Sequence, residues 1–364
     1  MVFNRSVVVN SIVVTSSVSN KGLLYSEDKG KTWNQSNITD DKFNCLAVID
    51  NTVIASSWYS KGVFYSEDNG HTWIRSKTNY GYFWDLVVIG NTVIAASDSG
   101  EGLLYSEDKG KTWNQSNINS GDFKCLIVVG NTVIAGSWSD KGIYYSEDNG
   151  KTWKQSNITS DFFYSLTSID STIIACSDSI NSLLYSEDCG KTWNKSNIIS
   201  SNFDCLAVIG NTVIASSSSN KGLLYSEDNG KTWNQSNINE GYFRHLITIN
   251  NVVITNSSYR KGLLYSEDNG KTWKQSNIID GHFSCLTTIN NTVIVGSLSD
   301  RGLYYSEDKG KTWIQSNICH GNFLHLSIID STIIVTDCFD DDMYYSEDKG
   351  KTWLKSKFIE YRKR

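Results

Sequence analysis

Apolar and polar positions follow one another in this chain in short runs, each of strand length and separated by turn residues. The stretch from Phe43 to Tyr82 shows the pattern. Phe43–Ile49 is a nearly continuous apolar run, which predicts a strand buried on both faces. Asp50-Asn51 is a two-residue hairpin signal, and Thr52–Ser57 predicts a second strand. A short variable loop, Trp58 to Lys61, precedes a third strand over Gly62–Ser66. The turn Asp68-Asn69-Gly70 then leads into a fourth, Thr72–Ser76. Val, Ile, Thr, Tyr and Trp dominate these runs and suit a pleated, packed sheet. Proline is absent, so Gly, Asn, Asp and Ser must make the turns.

The same pattern fills the chain. Tyr-Ser-Glu-Asp begins at Tyr25, Tyr65, Tyr105, Tyr145, Tyr185, Tyr225, Tyr265, Tyr305 and Tyr345, always 40 residues apart. The repeats are 3–42, 43–82, 83–122, 123–162, 163–202, 203–242, 243–282, 283–322 and 323–362. Four short strands per repeat are the signature of propeller blades. The prediction is an all-β, nine-bladed β-propeller, with four antiparallel strands per blade and one domain over 1–364. The apolar first strand is expected innermost and the polar fourth outermost, where a short polar edge resists aggregation. An open solenoid would need atypical capping repeats. The first and last repeats resemble interior ones, which favours a closed ring.

Within each repeat, Ser26-x-Asp28-x-Gly30-x-Thr32-Trp33 and its equivalents form the strongest motif. Its Asp and Trp recur as Asp68 and Trp73, Asp108 and Trp113, Asp148 and Trp153, Asp188 and Trp193, Asp228 and Trp233, Asp268 and Trp273, Asp308 and Trp313, and Asp348 and Trp353. The motif resembles the Asp-box, or BNR repeat, and the resemblance covers essentially the whole chain. It implies a β-propeller with one box in each hairpin between third and fourth strands. The residue chemistry points to architecture. Gly30 can take φ > 0, Ser26 and Asp28 can bond turn backbone groups, and the tryptophans can form a belt between blades. Burying one tryptophan is worth at most about 5 kcal/mol. Glu27-Asp28 offers paired carboxylates, but neighbours on a strand face opposite ways, so no catalytic residue is assigned there. The turn Asp68-x-Gly70 lacks a regular calcium-ligand series. Asp340-Asp341-Asp342 is expected to be a solvated loop.

A net charge of −6 argues against a nucleic-acid binder. No run of 18 apolar residues predicts a membrane span. Met1–Val9 lacks the features of a signal peptide, so a cytoplasmic location is expected. Of the eight cysteines, Cys45, Cys125, Cys205 and Cys285 share one repeat position, while Cys176, Cys189, Cys319 and Cys338 are scattered. None forms a CxxC pair, so reduced thiols, mostly in the core, are expected. No metal or other cofactor is predicted, and a monomer is expected.

The repeats differ chiefly in two places. One is the loop after the second strand; the other is the loop between repeats together with the second residue of the first strand. Alternating hairpins place both on one rim, opposite the Asp-boxes. Variable loops on a constant scaffold suit a binding face, although loops also tolerate drift. The candidate ligand-binding residues are Trp58, Tyr59, Tyr82, Trp84, Trp138, Tyr164, Tyr242, Arg244, Tyr259 and Arg260. Exposed Trp and Tyr beside charged groups suit carbohydrate stacking or a protein hot spot. The leading expectation is a non-enzymatic binding scaffold whose partner is a glycan or a protein segment. The chain looks like the sortilin-type receptors and photosystem II assembly factors in this respect. Because Asp-boxes also occur in sialidases and xyloglucanases, a glycoside hydrolase is the alternative. Asp85 and Asp204 are then the available inner carboxylates, but they lie three repeats apart and the sialidase Arg-Ile-Pro signature is missing. A third reading is a recently amplified or designed repeat protein with no specialised ligand.

Overall fold

A computed structural model describes residues 6–17, 21–58, 61–77, 81–98, 100–177, 182–198, 203–217, 220–257, 261–338 and 342–359. The fold is an all-β propeller of nine blades, each a sheet of four antiparallel strands in sequential order. In the second blade the strands are Phe43–Ile49, Thr52–Ser57, Val63–Ser66 and Ile74–Arg75. The register pairs Leu46 with Ala55, Ile54 with Tyr65, and Tyr65 with Ile74. The fourth strand is shorter than its sequence suggests because side chains occupy the backbone groups at its start. The Thr72 N–H donates to Asp68 Oδ1 at 2.9 Å, and the Trp73 N–H to Asn37 Oδ1 at 2.8 Å.

The chain clusters into two compact units. One comprises Met1–Ala175, Ser186–Asn194 and Lys357–Arg364; the other comprises Cys176–Tyr185 and Lys195–Ser356. Blades one to four lie in the first and blades six to nine in the second. In the first unit the strand Lys357–Ile359 joins the first blade as a fifth member. It runs parallel to the outer strand and pairs Phe358 with Trp33.

The core departs from the expectation of a first strand buried on both faces. That strand is largely buried in the second blade but half-buried at most positions in the third, fourth and fifth. The second strand is the one buried throughout, from the second blade to the eighth. The reason is its place in the sheet: the second strand has ladder partners on both sides, whereas the first is an edge. Four cysteines, Cys45, Cys125, Cys176 and Cys285, are buried; Cys189, Cys205 and Cys338 are half-buried and Cys319 is exposed. The thiols are therefore less uniformly core residues than expected.

Blades are joined by an asparagine that the motif did not flag. Asn157 Nδ2 donates to the Trp193 carbonyl at 2.9 Å while its Oδ1 accepts the Trp193 N–H at 2.7 Å. The same clamp recurs at Asn37, Asn117, Asn197, Asn237, Asn277 and Asn317. Repeats two and nine carry Lys77 and Lys357 instead, and there backbone takes over. Lys77 forms a parallel bridge with Thr112, and Lys357 pairs with Thr32. Asn157→Ala strips partners from two backbone groups of a buried residue. It should destabilise the protein by about 1–3 kcal/mol, read from the midpoint of urea unfolding.

Candidate functional site

The Asp-box is built as a turn. In the first blade Ser26 Oγ accepts the Gly30 N–H at 2.7 Å and donates to Asp28 Oδ1 at 2.9 Å. Asp28 also accepts the Thr32 N–H at 2.8 Å and the Thr32 hydroxyl at 2.7 Å. Gly30 sits at φ 86°, and the adjacent Lys29 at φ 61°. Burial opposes ionisation of Asp28, but the bonds from Thr32 and Ser26 outweigh it and hold the carboxyl below its usual range. The equivalent aspartates of all the other blades are lowered in the same way. Each box carboxylate thus accepts three hydrogen bonds from its own turn, as its structural task requires.

The glutamate beside each box aspartate has a different task. Glu107 Oε1 meets Lys151 of the following blade at 2.6 Å, and Glu267 meets Lys311 at 2.6 Å. In the first pair of blades His71 replaces the lysine and contacts Glu27 at 2.9 Å. The Glu-Asp dipeptide is thus divided between a turn and a belt of surface ion pairs. Among the acidic residues near position 340, the described Asp342 contacts Lys355.

The opposite rim carries the variation, as hydrogen bonds show. Gly100 N–H donates to Asp122 Oδ1 at 2.9 Å and Gly241 N–H to Asn220 Oδ1 at 2.7 Å, joining the two variable loops of each repeat. The variable residue of the first strand turns out to be a β-bulge. The register skips Asn44, Trp84 and Lys124, and likewise Arg244 and Leu324. A bulge leaves one residue outside the ladder and re-aims its side chain. The most variable inner position is therefore also the one freed from sheet pairing.

In the first compact unit these bulged residues meet the loop residues in one cluster. Trp58 lies edge-on to Trp84, with centroids 5.5 Å apart. Lys124 Nζ stands 3.9 Å from the Trp138 ring centroid, 5.1 Å from Trp84 and 5.3 Å from Tyr164. Trp138 packs against Tyr164 at 4.3 Å and Phe162 at 5.9 Å. The lysine distances are within cation–π range and the Trp58–Trp84 and Trp138–Phe162 separations within aromatic-pair range, with Trp138 and Tyr164 closer still. Asp98 sits beside them. Burial raises its pKa; the Trp84 indole and the Lys124 ammonium counteract this, and Asp122 adds to it. The chain has 12 tryptophans; nine are in the boxes, and the remaining three, Trp58, Trp84 and Trp138, are all in this cluster.

Of the candidate residues, Trp58, Trp84, Trp138 and Tyr164 are thus brought together. Tyr82 is half-buried next to them in the chain, and its carbonyl accepts the Asp98 N–H at 2.8 Å. Tyr242 belongs to the second compact unit and is 39% exposed. The side chain of Arg244 lies outside the described structure, as do Tyr59, Tyr259 and Arg260. Lys124, Phe162 and Asp98 were missed. Lys124 stands at the variable second position of the first strand and Asp98 and Phe162 in the variable loops; what the sequence does not display is that they meet.

Asp85 follows the bulged Trp84. Its Oδ1 accepts the Leu86 N–H and its Oδ2 the Leu126 N–H of the next blade, both at 2.9 Å. Part of its surface is accessible, yet burial pushes its pKa up to about 7 against these two bonds. No second carboxylate contributes to the shift among the described residues. The Asp204 side chain lies outside them.

This geometry defines a β-propeller with one Asp-box turn per blade. Sequence comparison agrees: the family model of the BNR/Asp-box repeat matches residues 144–155 and 264–275. No curated protein sequence is detectably similar to the chain. Among solved structures, the computationally designed Ika8 protein is similar at a TM-score of 0.63 and 12% identity, over 84% of this chain and 96% of that one. BamB from Moraxella catarrhalis is similar at 0.55 and 12%, over 88% and 95%. A GH74 xyloglucanase from Xanthomonas campestris gives 0.48 and 12%, over 97% and 80%. At these identities the likeness is one of fold.

Proposed function

We propose that the protein is a non-enzymatic binding scaffold whose aromatic rim cluster receives a partner. The observation that carries this reading is the convergence of Trp58, Trp84, Trp138 and Tyr164 around Lys124. These residues come from four repeats and stand at positions that vary between repeats. Aromatic anchors next to charged groups are the usual hot spots of recognition surfaces. The boxes, by contrast, direct their hydrogen bonds into their own turns, and Asp85 has both oxygens engaged by backbone N–H groups. Glycoside hydrolysis needs two carboxylates flanking one bond, about 5–9.5 Å apart; among the described residues Asp98 and Asp122 are near enough to interact, and they stand among the aromatic side chains of the cluster.

The test is a glycan array together with a pull-down, comparing the parent with Trp84→Ala and Trp138→Ala. The parent should retain a specific partner, and each substitution should weaken it by about 30-fold or more, the hot-spot scale. Equal binding by parent and variants would sink the proposal. Turnover of a fluorogenic sialoside that disappears in Arg244→Ala would favour the hydrolase instead.

A further inference from the structure

Next to the aromatic cluster, in the same compact unit, a cavity of about 80 Å³ is lined by Ser17, Lys42, Phe43, Asn44 and Trp58. Trp58 connects the two features. It is 37% exposed, forms one wall of the cavity, and touches Trp84 at 5.5 Å. Asn44 is the bulged residue of the second blade and only 3% exposed. Its Nδ2 lies 3.5 Å from the Phe83 carbonyl, and its Oδ1 is buried without a hydrogen-bond partner. Turning the amide over would set two acceptors against each other, so the orphan is the oxygen. Buried side-chain acceptors are nearly always paired in native proteins, and an exception calls for an explanation. Other repeats hold Trp84, Lys124, Ser284 or Leu324 at this position, so the amide is not required by the blade.

We propose that this cavity is a saccharide subsite: a pyranose stacks on Trp58 and one of its hydroxyls enters the cavity and donates to Asn44 Oδ1. This rests on the rim reading above and narrows its partner to a glycan. Three features favour a sugar over a peptide. The cavity is small and takes a terminal group; a backbone N–H, with chain running on both sides, does not fit. The missing partner of Asn44 is a donor, and a hydroxyl supplies one. A pyranose carries such hydroxyls at the edge of an apolar C–H face, which is the surface an exposed indole stacks against. Lys42 also lines the cavity, its carbonyl accepting the Trp58 N–H at 2.7 Å.

The experiment uses the full chain on an array of neutral and acidic oligosaccharides, followed by calorimetric titration with the best-retained oligosaccharide. The parent is compared with Asn44→Leu, Trp58→Ala and Trp138→Ala, with thermal midpoints measured alongside. Asn44→Leu should lower affinity about tenfold, the loss of one buried hydrogen bond, with the thermal midpoint unchanged or raised. Trp58→Ala, at a partly exposed position that folding does not depend on, should also lower affinity at least tenfold. Should Asn44→Leu fail to fold, Trp58→Ala decides alone. Loss of binding in Trp138→Ala with parental affinity in Asn44→Leu and Trp58→Ala overturns the subsite and leaves the rim reading standing. Indifference to all three substitutions overturns both. A parent that retains no oligosaccharide, or that captures a peptide instead, overturns the saccharide assignment.

Discussion

Trp153→Ala should lower the unfolding free energy by about 3–5 kcal/mol, the range for deleting a buried tryptophan. Trp153 is 3% exposed and sits between blades, against Ile94 and Leu103 of one and Phe123 and Leu126 of the next. Its indole N–H donates to the Gly150 carbonyl at 2.9 Å, and its backbone is held by Asn117 through both the N–H and the carbonyl. Alanine would leave a cavity at an interface and one carbonyl without its donor. Gly150, whose carbonyl takes the indole bond, is held to glycine by Ile94: a Cβ there would meet Ile94 Cδ1 at 2.6 Å. The third blade provides the internal control. Trp113 is only half-buried and lacks the asparagine clamp, since Lys77 stands in its place. Trp113→Ala should therefore cost about half as much. Urea unfolding of the two variants beside the parent measures both; equal losses would show that the clamp and the burial do not set the contribution of each blade.

Asp85→Asn should reduce the loss of stability with rising pH in the neutral range. The folded pKa of Asp85 is raised from 3.8 to about 7, so between these values the folded state holds a proton that the unfolded state has released. Stability contributed by the neutral carboxyl is fully present below pH 3.8 and is lost as pH rises through 7. The full span corresponds to at most about 4 kcal/mol, reduced where solvent reaches the group. The box aspartates act in the opposite sense. Their pKa values are depressed, so their contribution is present above pH 3.8 and lost as pH falls below it. Together the two effects place maximum stability in mildly acidic solution. Thermal midpoints of the parent should decline from pH 5 to pH 8 more steeply than those of Asp85→Asn, whose amide does not titrate and which keeps only the smaller decline of groups such as His71, also raised in pKa. A parallel decline in both proteins would show that Asp85 is not its source.

Much of this architecture was legible in the sequence because its physics is local. The first two strands of the second blade fall at the residues that the apolar pattern marks, Phe43–Ile49 and Thr52–Ser57. The hairpin turns are equally local: Asp50, Gly90 and Asn250 take the positive φ that their residue types permit. The box needed only Ser26, Asp28, Gly30 and Thr32, all within one turn. What was not legible depends on neighbours distant in sequence. The Asn157 clamp acts 36 residues away, on Trp193. The bulge at Trp84 follows from pairing of Phe83 with Ser97 and Asp85 with Ala96, which periodicity in one strand does not reveal. The half-buried first strands reflect their place at a sheet edge. The rim cluster was visible only in outline. Three tryptophans outside the boxes announced it, and Lys124 and Asp98 stand at positions that vary between repeats, but their meeting depends on packing across blades, which one repeat does not display.

The central claim is that the constant part of the repeat is architecture and the departures on one rim are function. The most direct measurement replaces Trp58, Trp84, Lys124, Trp138 and Tyr164 together by serine, which other repeats already hold at the equivalent positions, as Ser258 and Ser284. Thermal unfolding and glycan-array binding are then recorded on the same preparation. The account predicts a propeller that still folds and unfolds cooperatively, destabilised by about 2–5 kcal/mol through the loss of half-buried aromatic surface, and which no longer binds the oligosaccharide that the parent retains. Undiminished binding in the substituted protein, or a collapse of the fold with these five residues, would contradict it.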